Sequence, residues 1–539
     1  MALSQSGGQL KRHAGPIGLL FASTTSMIGS GWLFGAYHAA KLAGPWSILS
    51  WVIGAVIIMM LAFCFAELAT MFPRSGALVH ISHASHGDGL GRIWSWMLFL
   101  AYVAVPAVEA EAVVTYANNY LPFLVSPDKG VLTVIGFFVS VVLLGIFALL
   151  NLLTIRKLMQ FNSTITWWKI FVPLATVVGL IVVAWHPENM HAAPGSYQIS
   201  GIFTALPAAG IVFSFLGFRT AIELAGESSD PHRNMPFAVI GSVVVASVIY
   251  VGLQVAFIMA LSPGQLSSGW STLSFAGDLG PFAGLAAGLG MTWLATVLYI
   301  DAYVSPGGTG LIYLTGGSRI LMANGQLETG PKGLAKLSSQ GVPWVGVLVM
   351  WIVGCLFLLP FPAWQKMVAY ITSITVLTYG IGPVVLLCLR RNAPNAERPF
   401  KLAGANILAP ITFILSNWII YWAGFYTNSV LFILISVGFV IYALYYHLVA
   451  RMPAEGFGWR YISWLLPWFG GMWVLSALGG IGGGLGVLPF VAELILTALW
   501  SLVVLWIAFQ TTLSPADTER AIEKILREED QGDNAPSLP

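Results

Sequence analysis

Charge is scarce in this 539-residue sequence. Only 9% of its residues are Asp, Glu, Lys or Arg, against ~25% in ordinary soluble chains, while 57% are hydrophobic. A water-exposed fold of this length could not hide so much apolar surface, so a soluble globular domain is excluded and lipid is the solvent. Cysteine is rare too. Cys64, Cys355 and Cys388 lie far apart within apolar runs, which leaves neither a disulfide framework nor a metal spacing, and they read as small core residues. The short alternating segments of a transmembrane β-barrel are missing. A cleavable leader is not expected, since the sequence is polar through His13 and the first apolar run is long and glycine-interrupted. No nucleophile with a base, no cofactor motif and no basic-aromatic surface for nucleic acid is recognisable. Gly307-Gly308-Thr309-Gly310 lacks the Gly-Lys-Ser/Thr ending of a phosphate loop. His80, His83 and His86 recur every three residues, but with only Asp88 nearby they do not read as a metal site.

Long apolar runs are what the sequence does contain, each able to cross ~30 Å of hydrocarbon as a helix. Fourteen are predicted, near residues 16–43, 45–72, 92–124, 130–151, 158–185, 203–225, 236–261, 280–306, 343–361, 364–389, 407–424, 428–449, 461–480 and 487–510. Two Pro-punctuated loops, 186–202 and 262–279, are candidates for the outside. With an inner N-terminus, Lys41, Lys129 and Lys366 face outward and Lys169 and Arg219 fall inside spans. The remaining nineteen of the 24 basic residues then face inward. That asymmetry fits the positive-inside rule and an even number of crossings, with both termini cytoplasmic. After Thr511 the sequence turns polar, and residues 515–530 suit a short surface helix on a cytoplasmic tail.

Two of the runs are interrupted. The first carries Ser26-Met27-Ile28-Gly29-Ser30-Gly31 and the sixth carries Phe213-Ser214-Phe215-Leu216-Gly217-Phe218-Arg219. Glycine in mid-helix costs about 1 kcal/mol and invites unwinding. Unwound backbone at membrane depth must line a cavity or be buried by protein. A pair of such interruptions in two halves of a chain points to a transporter's binding site. The freed N–H groups attract a carboxylate and the freed carbonyls an ammonium, which together suit an α-amino acid. The competing reading is that these glycines only allow close helix packing.

The same residues carry a family resemblance. Ile28-Gly29-Ser30-Gly31, then Phe65-Ala66-Glu67-Leu68 with Pro73-Arg74-Ser75-Gly76, resemble the opening of the amino acid–polyamine–organocation permeases. Phe213-Ser214-Phe215-Leu216-Gly217-Phe218, with Glu227, Asp230-Pro231 and Arg233-Asn234-Met235-Pro236, is similar to their sixth-helix signature. Ser318-Arg319, Ala323-Asn324-Gly325 and Val342-Pro343-Trp344 resemble the stretch after their eighth helix. The resemblance covers roughly residues 15–450 and implies an all-α membrane protein with a LeuT-type five-plus-five inverted repeat. Residues 1–15 would be the cytoplasmic N-terminus, 16–390 the transport core, 391–510 about four extra C-terminal transmembrane helices and 511–539 the tail. Fourteen spans are similar to the subgroup that includes bacterial aspartate–proton symporters, which implies a bacterial inner (plasma) membrane.

Ionisable groups at membrane depth each cost ~2.5–3.5 kcal/mol on the insertion scale and so demand a reason. Lys169 matches the lysine that proton-coupled relatives place where sodium-dependent ones bind a cation. It lies twelve residues beyond Lys157, about 18 Å at 1.5 Å per residue, too deep to snorkel to the inner surface. Arg219 would favour an acidic side chain and repel cations, unless it is engaged in a salt bridge with Glu223, Glu109 or Asp301. Glu109 and Glu111 point to different faces, so at most one sees the cavity; Asp301 is a candidate proton carrier. Glu67 reads as a gate or packing residue. Phe213 matches the aromatic that closes over substrate in relatives, or else packs in the core.

Together these features predict amino-acid uptake coupled to a proton, by alternating access. The substrate carboxylate would rest on N–H groups near Gly29, Ser30 and Gly31, with its ammonium on carbonyls near Ser26 and Phe213. Ile28, Ser214 and Gly217 complete the lining, Arg219 reads an aspartate or glutamate side chain, and Lys169, Asp301 and Glu109 handle the proton. The expected partners are the amino acid, the proton and membrane lipid, with no cofactor, metal or nucleic acid. An exchanger for neutral or cationic substrates is the first alternative. A nontransporting amino-acid sensor signalling through its tail is the second.

Overall fold

The computed structural model describes residues 14–73, 77–127, 130–152, 155–193, 195–326, 331–338, 341–359, 363–449 and 458–533. Residues up to His13, Arg74-Ser75-Gly76 of the second motif, Lys129, Arg451 and the last residues of the tail lie outside the described residues. In hydrocarbon every backbone N–H and C=O needs a partner from the chain itself, and helices supply it locally. Among the described residues there is accordingly no strand, only two isolated bridges, Ala14 with Ser228 and Val125 with Leu132. The first half of the chain forms α1 Pro16–Met27, α2 Ser30–Ala43, α3 Ser47–Met71, α4 Ala77–Ala117, α5 Val134–Asn151 and α6 Ile155–Val183. There follow α7 Ser200–Ala208, α8 Ile211–Ser214, a 3₁₀ turn Leu216–Arg219, α9 Thr220–Glu223, α10 Pro231–Ala260, α11 Pro281–Gly288, α12 Thr292–Gln326, α13 Trp344–Phe357 and α14 Trp364–Asn392. The last third adds α15 Ala405–Trp422, α16 Phe425–Leu444, α17 Trp459–Ile462, α18 Leu465–Leu478, α19 Phe490–Thr511 and α20 Pro515–Asp533.

Among the described residues, ten helical stretches are long and apolar enough to cross a membrane, or eleven when the bent α7–α9 segment counts as one span. This is fewer than the fourteen crossings expected, for three reasons. The stretch Ser30–Met71 joins α2 and α3 through a short turn, so two expected runs merge. Helix α12 is diluted by Asp301, Arg319 and many Gly, Ser and Thr residues, and α13 has only 14 residues. The third run also begins earlier than expected. Helix α4 starts at Ala77 and kinks at Gly87, whose φ of 73° lies in the left-handed region that glycine favours. The histidine row falls on this first segment, where buried His86 meets Ser85 and the Ala508 carbonyl and His83 pairs with Asp88.

Burial sorts the helices into an inner and an outer set. The most apolar windows of α4 and α14 are wholly buried, whereas only 28% of those of α5 and α19 are. Outer helices turn Phe138, Val142, Phe171, Val182, Val248 and Trp506 outward. An apolar face of this extent on an otherwise packed bundle belongs against lipid. Helix α4 packs on α12 and α14, and α14 on α3; α3 in turn packs on α10, and α1, which leads into the first interruption, lies against α10, α6 and α12.

One end of the bundle is closed by ions. Glu67, fully buried on α3, accepts hydrogen bonds from Arg390 Nε at 2.9 Å and from the Leu402 amide at 2.7 Å, and Arg398 lies 3.3 Å away. The same end receives the start of the tail, where Thr512 and Leu513 bond to the Ser85 carbonyl and Asn392 reaches Leu513. At the end of α10 the two Pro-punctuated loops meet, Trp270 donating to the Ala192 carbonyl at 2.9 Å. Removing one member of a buried ion cluster strands the others. Glu67→Gln is therefore expected to destabilise the detergent-solubilised protein by about 3–5 kcal/mol. A thermal melt beside wild type checks this, and an unchanged midpoint contradicts it.

Candidate functional site

The first interruption is sharp. After Met27 the backbone leaves helical geometry at Ile28 (φ −82°, ψ 78°) and Gly29 (φ −112°, ψ −143°), and α2 begins at Ser30. A Cβ on Gly29 would lie 2.5 Å from Glu109 Oε1, so glycine is required here by space. The Ser30 N–H, at the start of α2, donates to Glu109 Oε2 at 2.8 Å. On the other side of the break the Thr25 carbonyl accepts from Lys169 Nζ at 3.0 Å and from Thr309 Oγ1 at 3.2 Å.

The second interruption has two parts. Helix α7 ends at Ala208, Gly210 takes φ 79°, and the chain bends by 47° between α7 and the α8–α9 segment. After α8 the helix tightens into the 3₁₀ turn Leu216–Arg219. The expected break over Phe213–Arg219 thus corresponds to the second part, while Gly210 marks the first; a Cβ there would meet the Trp364 ring at 2.7 Å.

The two interruptions abut. A Cβ on Gly217 would lie 2.5 Å from the Met27 amide nitrogen, and one on Gly31 would strike Ser214 Oγ. Ser23 Oγ donates to the Phe218 carbonyl and Thr220 Oγ1 to Ser26 Oγ. The Tyr250 hydroxyl lies 2.9 Å from the Met27 carbonyl and 3.1 Å from that of Ser214, bridging both breaks, and Tyr379 donates to the Leu216 carbonyl. Above them Phe213 meets Trp364 edge to face at 6.3 Å, and Trp364 donates to Ser30 Oγ at 3.0 Å.

The expected ionisable residues divide among three places. Lys169 is fully buried and held by Thr25 and by Thr309 Oγ1 at 2.9 Å, with Gly308 leaving room for its methylene chain. Asp301 accepts from Trp168 Nε1 and from Ser305 Oγ, both at 2.8 Å, while its Oδ2 has no hydrogen-bond partner among the described residues. Arg219 stands apart from both. Its guanidinium, 1% exposed, lies among the rings of Tyr102 at 4.1 Å, Tyr379 at 5.4 Å and Tyr313 at 5.8 Å. Its ion pair, with Glu223, is long at 4.0 Å, and none of its three nitrogens has a hydrogen-bond partner among the described residues. Glu67 is not in this group: it belongs to the ion cluster at the end of the bundle.

Sequence reasoning did not identify Thr25, Thr309, Tyr250 or Trp364. Thr309 carried a signal, because Gly307-Gly308-Thr309-Gly310 thins α12 where Lys169 crosses it. The other three are common residue types on ordinary helix faces, and only the fold brings them to the breaks.

Two interrupted helices meeting in a buried polar centre, walled by apolar helices, define a polytopic membrane transport protein. Residues 15–450 match the amino acid permease family, and the chain belongs to that family. It is 39% identical over 508 residues to the glutamate/serine transporter AimA of Bacillus subtilis (strain 168), covering 92% of this chain and 93% of that one. It is 31% identical over 517 residues to the aspartate-proton symporter of the same organism, covering 94% and 98%. It is 25% identical over 460 residues to the branched-chain amino acid permease BcaP, also from Bacillus subtilis (strain 168), covering 83% and 95%.

Proposed function

We propose that this permease takes up amino acids together with protons, prefers aspartate or glutamate, and works by alternating access of the site at the two breaks. The observation that carries the proposal is the buried ammonium of Lys169 on the Thr25 carbonyl, where it ties α6 to the broken α1 and, through Thr309, to α12. An ammonium there can take the place of a metal ion and, because it can give up its proton, leaves the proton as coupling ion, handled by Lys169, Asp301 and Glu109. The substrate's carboxylate rests on the N–H groups near Gly29, Ser30 and Gly31, and its ammonium on carbonyls near Ser26 and Phe213. Ile28, Ser214 and Gly217 line the same space, and Phe213 closes over it. Glu67, with Arg390 and Arg398, acts as a gate at the inner end.

Arg219 supplies the acidic preference. A guanidinium buried without hydrogen bonds among the described residues is suited to a ligand carboxylate, which it can hold through two parallel bonds. The names of the two relatives at 39% and 31% identity, a glutamate/serine transporter and an aspartate-proton symporter, agree with this preference. A second reading, an exchanger for neutral or cationic amino acids, has in its favour the approach of Glu223 to Arg219 at 4.0 Å.

The architecture in this reading is a LeuT-type five-plus-five repeat. The units α1/α2, α3, α4, α5 and α6 answer α7–α9, α10, α11/α12, α13 and α14, each half opening on its broken helix. Counting α12 and α13, and separating α1/α2 from α3, gives fourteen crossings of a bacterial inner membrane with both termini in the cytoplasm. The binding step is tested by thermal stabilisation of the detergent-purified protein by each of the twenty amino acids. A ligand at about 100 times its dissociation constant stabilises by about 2.7 kcal/mol. Selective stabilisation by aspartate or glutamate is expected, and stabilisation by neutral or basic amino acids alone contradicts the acidic preference.

A further inference from the structure

In this structure the N-terminus of α2, where the proposed function puts the substrate's α-carboxylate, already meets a carboxylate. Glu109 reaches it from the middle of α4, fully buried, and accepts from the Ser30 N–H at 2.8 Å. Its other oxygen lies against Gly29, where a Cβ would be 2.5 Å away, and has no hydrogen-bond partner among the described residues. A carboxylate that only filled space would not lie at the one place where the helix break exposes donors, with half its bonding capacity unused. From these contacts we infer that Glu109 is an internal stand-in for the substrate carboxylate: the arriving amino acid displaces it from the Ser30 N–H, and the displaced side chain takes up the transported proton. The inference rests on the amino-acid permease reading and adds to it the residue at which substrate and proton are linked.

Two carboxylates cannot share this pocket as anions. It is buried, and Lys169 is already committed to Thr25 and Thr309. When the substrate carboxylate takes the Ser30 N–H, Glu109 must leave its donor and lose its charge. The step balances as Glu109 carboxylate plus one proton from the outer solution giving the carboxylic acid, with the N–H bond passing from one carboxylate to the other. Release of the amino acid inside reverses it: the acid gives its proton to the cytoplasm and returns to the Ser30 N–H. Substrate and proton therefore move together because one donor cannot serve both anions.

The ionisable groups facing Glu109 are Lys169 on α6, Tyr250 on α10 and Tyr313 on α12. Asp301 on α12 faces Lys169 in turn. On its own helix, Glu111 is directed to the backbone of Trp364. Tyr250 is bound to the carbonyls of both breaks. Lys169 and Asp301 are thus the rival proton acceptors, and the test separates them from Glu109.

The experiment measures the affinity of purified full-length protein for L-aspartate, L-glutamate and L-serine between pH 5 and 9, in wild type and Glu109→Gln. In wild type, affinity is expected to fall about tenfold per pH unit over the range in which free Glu109 is ionised, because each binding event consumes one proton. In Glu109→Gln, whose side-chain oxygen can still accept from Ser30 but cannot take up a proton, the slope is expected to vanish. A mutant that keeps the wild-type slope overturns the inference and moves the proton to Lys169 or Asp301. Wild type alone gives an independent readout: in weakly buffered solution, saturating amino acid should draw up to one proton per protein from the medium. No uptake, or release, anywhere in this pH range overturns the inference whether or not the mutant folds. Binding of none of the amino acids by wild type would instead overturn the permease reading itself, and the inference with it.

Discussion

Lys169→Ala is expected to abolish proton-driven accumulation of amino acid while leaving binding measurable. The ammonium is buried where α6 meets the break in α1, and its two bonded partners lie on separate helices, Thr25 on α1 and Thr309 on α12. Rearranging those helices against one another is what alternating access requires, so losing this crosspiece removes the charged contact that ties them together here. The fold has a local substitute, because Thr309 Oγ1 also donates to the Thr25 carbonyl at 3.2 Å and still satisfies it in the mutant. Binding should therefore weaken by no more than about tenfold, or ~1.4 kcal/mol, while accumulation falls to the level of empty vesicles. Undiminished proton-driven uptake in the mutant would remove Lys169 from the mechanism.

The second large effect concerns Arg219. A guanidinium without hydrogen bonds among the described residues is costly in the substrate-free protein and becomes valuable once a ligand carboxylate reaches it. Arg219→Met should therefore weaken aspartate and glutamate binding by about 2–5 kcal/mol, roughly 30-fold or more, without lowering the melting temperature of the ligand-free protein. Arg219→Lys keeps the charge and loses the planar fork, and is expected to fall between the two. An internal salt bridge gives the opposite pattern. If Glu223 is the true partner of Arg219, the methionine variant melts earlier because Glu223 loses one of two cations and keeps only Arg319, and ligand preference does not change. Melting curves with and without aspartate separate the two.

Much of this site was legible in the sequence because it is built from backbone. Gly29 and Gly217 announce where helices cannot continue, and they are also the points where another group comes within 2.5 Å of a missing Cβ. The depth of Lys169 followed from counting residues from Lys157. What could not be read is the set of side chains that complete the breaks. Thr309 lies 284 residues from Thr25, and Tyr250 lies 223 from Met27. Their roles come from how α12 and α10 pack, for which helical periodicity carries no signal. Gly210 carries little signal, because one glycine after Pro207 looks like a modest irregularity, yet its positive φ begins the 47° bend. The number of crossings was harder to read than the breaks. Functional helices such as α12 hold polar residues at membrane depth, and these weaken the hydropathy by which spans are recognised.

The account stands most directly on one measurement: uptake of radiolabelled L-aspartate and L-glutamate into vesicles reconstituted with the purified protein, with an inward proton gradient imposed or absent. Accumulation above the external concentration that requires the gradient and collapses with a protonophore is the expected result. Uptake that needs only amino acid on the far side of the membrane, and ignores the gradient, would contradict it and make the protein an exchanger.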